Sequence, residues 1–136
     1  MVFDPNDGLP LVGVKRAMLG VRPLTDVTLI PARDLNGNVV LDRKGLSVNA
    51  DWRSLPPHLI PIELDTEVNG ASGVGMKVFV HGNGAFAEGA VTDKLELMLK
   101  SGSLGSGVVC PTALVSLVEY QSNLEATRAD WVEDPS

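Results

Sequence analysis

The side chains of this sequence that could do chemistry are few and scattered. Cys110 stands between Val109 and Pro111 in GVVCP, an apolar setting that raises a thiol's pKa and predicts packing, not nucleophilic attack. His58 and His81 have no cysteine, aspartate or glutamate at zinc-ligand spacing, so both read as turn or surface residues, and no metal site is expected. Lys15, Arg16 and Arg22 carry the chemistry of a phosphate clamp, although solvated surface charge is the default reading. Glu96 and Glu119 could act as catalytic carboxylates, but a strand face accounts for the first and helix capping for the second. Trp52 and Trp131 predict packing over stacking platforms.

The glycine runs GASGVG (70–75) and GSLGSG (102–107) have the composition of phosphate cradles. Each leads into a strand-like run, whereas a phosphate loop needs the positive N-terminus of a helix behind it, so they read as ordinary loops. That leaves GLSVNADWRSLPPHLIP (45–61), where Ser47 alternates with apolar neighbours ahead of a prolyl-proline corner. On its own it is a serine on a solvated strand, followed by a turn.

The elements that must position these residues are short. VTLIP (27–31) and NVVLD (38–42) flank Asn36–Gly37 and predict a hairpin, because asparagine and glycine tolerate the positive φ of a tight turn. LSVNA (46–50), LIPIEL (59–64), KVFV (77–80), LELML (95–99) and GVVCP (107–111) are further strand candidates, with Leu95, Leu97 and Leu99 sharing one face. Ser116 and Glu119 have capping-box spacing, with the serine accepting from the Glu119 N–H and the carboxylate reaching back to Ser116 N–H. Leu117, Tyr120, Leu124, Thr127 and Trp131 then recur at steps of three and four, predicting one buried stripe on a helix that ends near Trp131. The expectation is a compact, mainly β, α+β domain closed by a C-terminal helix.

The length of 136 residues suits one domain spanning 1–136, with 1–14 as an extended arm and 132–136 as a disordered tail. A single cysteine, no export-like leader and no long apolar run predict a soluble cytoplasmic protein without a membrane partner. Eleven basic against seventeen acidic side chains give a net charge of −6 with the cations dispersed, which disfavours nucleic acid as a partner.

The order LGVRP (19–23), hairpin, GLSV (45–48), LPPHLIP (55–61), GVVCP (107–111) and EYQSNLEATRADW (119–131) resembles small bacterial proteins similar to type VI secretion effector toxins with an ADP-ribosyltransferase-like fold. Their pattern is a Gly-Gly-x-Ser-Val strand, a Leu-Pro-Pro-His turn and a closing Tyr-Gln…Ala-x-Thr-Arg…Trp helix. The resemblance spans residues 18–131 in separate blocks and implies a split-sheet core around a cleft that holds NAD. It further implies that Gly45 lets backbone approach the cofactor and that Ser47 is the catalytic, cofactor-positioning side chain. Arg22 and Ser106 would flank the same cleft, with Arg22 at the pyrophosphate. A macromolecular target, an immunity protein as partner, and delivery into a target cell follow from the same likeness. The sequence departs from the pattern at Gly20, where the family carries arginine, at Ser106, where it carries histidine, and at Lys44, which replaces the first glycine. These departures open the alternative of an inactive binding or assembly module that keeps the fold.

Overall fold

The computed structural model describes residues 1–51, 55–64, 71–81, 86–100 and 105–134. The hairpin forms as β1 (Leu29–Ile30) and β2 (Asn38–Val39), with Leu29 opposite Val39. Its loop is wider than the expected Asn36–Gly37 turn. Pro31 offers no ladder N–H, and the Asp34 carboxylate instead accepts from Asn36 N at 2.9 Å. The main sheet contains β3 (Leu46–Asn49), β5 (Gly89–Ala90), β6 (Leu95–Leu99) and β7 (Ser106–Pro111) in the antiparallel order β3-β7-β6-β5. The run Val108–Val109–Cys110 is buried throughout, as suits a strand flanked on both edges.

LIPIEL, expected as a strand, is instead two 3₁₀ turns, Pro57–Leu59 and Ile62–Leu64. Pro56, Pro57 and Pro61 cannot donate to a ladder, and their carbonyls accept from residues three positions on, as in Leu59 N to Pro56 O at 2.8 Å and Leu64 N to Pro61 O at 2.9 Å. Between the turns Ile60 is fully buried and founds a small second cluster with Ala71 and Val78.

The terminal helix α1 (Leu117–Glu125) starts as its capping serine predicts, with Ser116 Oγ accepting from Glu119 N at 3.1 Å. It stops six residues short of Trp131. Thr127 Oγ1 donates back to the Leu124 carbonyl at 2.6 Å, and a 3₁₀ turn, Arg128–Asp130, tightens the exit. Trp131 then opens β8 (Trp131–Asp134), which pairs antiparallel with β4 (Val78–His81). Residues 132–134 are therefore a strand and not the start of a disordered tail. The buried stripe survives the change of element: Leu117, Tyr120, Leu124, Thr127 and Trp131 are all buried. Tyr120 and Leu124 pack with Val21, Leu29, Val39, Leu95 and Val109 to form the larger core.

The opening arm is tied down at several points. Arg128 donates to both Asp7 carboxylate oxygens at 2.6 and 2.9 Å and to the Pro10 carbonyl at 2.7 Å. Met1 and Lys77 exchange two backbone bonds, which lays the first residues along the segment that leads into β4. Among the described residues no helix is long and apolar enough to cross a membrane.

Candidate functional site

β3 ends the four-stranded sheet, and β4 belongs to a separate two-stranded sheet. The two strands face each other across a gap. A cavity of about 240 Å³ opens there, walled by the consecutive residues Leu46–Ala50 on one side and Val78–Val80 on the other. A second cavity of about 510 Å³ continues along the same two strands toward His81, Phe86 and Trp131.

Of the residues singled out in the sequence, Arg22 and Ser47 meet in the smaller cavity, together with Lys15, Arg16 and Gly20. Ser47 is exposed, and its hydroxyl has no hydrogen-bond partner among the described residues. The Arg22 guanidinium is engaged: it donates to both Asp26 oxygens at 3.2 and 3.0 Å, while its backbone N–H donates to the same carboxylate at 2.7 Å. Asp26 itself lines the cavity. Any anion seeking Arg22 must compete with it.

Ser106 and Gly45 do not line either cavity. Ser106 sits opposite Asn49 in the β3–β7 register and donates its hydroxyl to Asn49 Oδ1 at 3.0 Å. Asn49 lines both cavities, so Ser106 contacts the cleft wall only through this bond. Gly45 packs beside the Val109 carbonyl and the Tyr120 hydroxyl, where a Cβ would overlap both. That hydroxyl accepts from Leu46 N at 3.1 Å and donates to Val109 O, replacing one rung of the β3–β7 ladder. Burial pushes the Tyr120 phenol well above its ordinary pKa, so it stays protonated and keeps donating.

Gly20 is also required by its surroundings. Its φ is +152°, and a side chain there would run into the Gly13 carbonyl and the Gln121 amide. Gln121 holds this segment with its Oε1 accepting from Val21 N at 3.1 Å. An arginine at position 20 has no room without moving both neighbours.

The other sequence candidates lie elsewhere. Cys110 is buried, its thiol pushed up to about 11 by burial and by Glu96. His81 packs edge-on against Trp131, with ring centroids 5.1 Å apart, and His58 is exposed in the first 3₁₀ turn. Lys44 reaches Thr28 Oγ1 at 3.4 Å, away from the cleft. Trp52 lies outside the described residues, as do Gly70 of the first glycine run and residues 102–104 of the second. Among the described residues no group of three or more His, Cys, Asp or Glu side chains could hold a metal ion.

Sequence reasoning missed Asp26 and Asn49. Asn49 was detectable, since residues 47 and 49 of a strand share a face. Asp26 was not, because it reaches the cleft only through the turn that follows Arg22. No protein-family model, curated protein or solved structure matches this chain.

Proposed function

We propose that this chain is an ADP-ribosyltransferase-like domain that binds NAD in the cleft between β3 and β4 and acts on a macromolecular target. The observation that carries the reading is the meeting of Arg22 and Ser47 in one cavity between two separate sheets, as the sequence resemblance implies. Lys15, Arg16 and Arg22 would hold the pyrophosphate by charge-assisted hydrogen bonds, and the Ser47 hydroxyl would position a ribose. NAD would supply the ADP-ribosyl group there, its bond to nicotinamide breaking as a new bond forms to a nucleophile of the target, with nicotinamide as the leaving group. The chain's own contribution is positioning and charge, the terms expected to dominate such a transfer.

A second reading, a binding or assembly module without transferase activity, is favoured by Gly20. Its backbone and neighbours leave no place for the arginine of the family pattern, and Arg22 is already paired.

Calorimetric titration of NAD, combined with an assay of nicotinamide release, separates the two. On the first reading Ser47→Ala weakens binding by about 0.5–1.5 kcal/mol and Arg22→Ala by about 1.5–3 kcal/mol, while Asp26→Ala strengthens it by freeing Arg22. Absence of binding by the folded wild-type chain would remove the dinucleotide and leave the binding module. Binding without nicotinamide release would retain the site and reject the transfer.

A further inference from the structure

The backbone groups that face the gap between β3 and β4 follow from the hydrogen-bond pattern. Ala50 N donates to Gly105 O at 2.8 Å, in the same register that pairs Leu46 with Val109 and Val48 with Gly107. Antiparallel pairs alternate, so the N–H and C=O groups of Ser47 and Asn49 point away from β7, toward the gap. On the other wall Lys77 exchanges both backbone bonds with Met1, which turns the Lys77 groups away from β8. Two residues on, the N–H and C=O of Phe79 point the same way. Met1 also lines the cavity, which places this edge of β4 on the gap. Among the described residues, none of these groups of Ser47, Asn49 and Phe79 has a backbone partner. Two sheet edges thus present unpaired donors and acceptors to one cleft.

The segment leading into β4 already recruits extended backbone, since Met1 and Val2 pair with Lys77 and Met76 just ahead of the open stretch. The charge of the cleft is also distinctive. In a chain with a net charge of −6, the smaller cavity carries, among the described residues, Lys15, Arg16 and Arg22 against the single carboxylate of Asp26. Arg22 is taken by Asp26, whereas the exposed side chains of Lys15 and Arg16 have no hydrogen-bond or ion-pair partner among the described residues. Between these cations, Val48, Leu55, Leu59 and Val78 supply apolar wall.

We infer that the gap receives an extended segment of a partner protein, which pairs its backbone with the open edges of β3 and β4 and sets an acidic side chain against Lys15 and Arg16. Such a strand would join the two sheets into one, with the main chain giving affinity and the acidic side chain giving selectivity. The inference rests on the strand edges and is independent of the dinucleotide reading, although the segment would occupy the same cleft.

The test uses the intact chain and three pentapeptides: one of alternating valine and glutamate, its valine–lysine counterpart, and the glutamate peptide N-methylated on alternate amides. Hydrogen exchange of the Ser47, Asn49 and Phe79 amides is followed by NMR. The glutamate peptide at millimolar concentration is expected to slow all three by more than roughly tenfold, and the N-methylated peptide to leave them unchanged. The glutamate peptide should be preferred over the lysine peptide by roughly fivefold, and the double variant Lys15→Glu/Arg16→Glu should reverse that preference. Both positions are exposed, so the variant should fold. Unchanged exchange with every peptide would overturn the proposal, as would equal action of the N-methylated peptide. Protection of the same amides in a dimer of the free chain would assign the edges to a second copy and overturn the partner assignment. NAD titration of the same sample reports on the dinucleotide site separately, so either idea can fail alone.

Discussion

Several side chains of the closing segment tie distant parts of the molecule together through polar bonds. Tyr120 inserts its hydroxyl into the β3–β7 ladder, Gln121 grips the segment around Gly20, Arg128 fastens the arm, and Trp131 Nε1 donates to Thr127 Oγ1 at 2.9 Å. The Tyr-Gln…Thr-Arg…Trp pattern that suggested a family is in this chain a set of tertiary clamps. Tyr120→Phe keeps the ring but leaves Leu46 N–H and a Val109 carbonyl lone pair without their partner. Because a buried unsatisfied group costs more than a bond contributes, the change is expected to destabilise by about 1–3 kcal/mol, read from the urea denaturation midpoint. The thiol of Cys110 gives a simpler test. Buried, and with its pKa pushed up to about 11, it is expected to resist alkylation at pH 8 in the folded chain and to react readily once urea unfolds it.

Among the elements, the arm is held by charge and should release in acid. Hydrogen bonds from Arg128 hold the Asp7 carboxyl below its ordinary value. A carboxyl depressed in the folded state contributes stability above its unfolded value, about 3.9, and that contribution fades as pH falls through the lower folded value. The arm amides, Leu11 bonded to Val2 O among them, should therefore begin to exchange faster below about pH 4, ahead of the β6–β7 ladder. Arg128→Ala should bring the same release at neutral pH. Loss of the β6–β7 ladder at the same pH as the arm would show that the arm is not a separate unit.

For the whole molecule, β8 decides whether the second sheet exists. It is the partner of β4 in its two-stranded sheet, and its first residue, Trp131, is buried against His81. If residues 132–136 were a tail, a chain ending at Trp131 would lose little. Because residues 132–134 pair with Val78–Val80, that shortened chain is instead expected to unfold at a lower denaturant concentration than the full chain. Local chemistry made several features legible in the sequence. Periods of two and of three to four placed Leu95 and the Tyr120–Leu124 stripe in the core, Ser116 marked the start of α1, and the apolar neighbours of Cys110 foretold its burial. Of the residues expected at one cleft, Arg22 and Ser47 line a common cavity, whereas Gly45 and Ser106 line neither cavity. What the sequence could not carry depends on contacts between distant segments. The strand at Trp131 was set by β4, fifty residues earlier. Gly20 and Gly45 look permissive as letters, yet the tertiary structure makes them obligatory by setting Gln121 and Tyr120 against them. The facing open edges of β3 and β4 have the same origin. Hydrophobic period and capping act within a few residues and leave a local record, whereas register and edge exposure are fixed only when remote backbones meet.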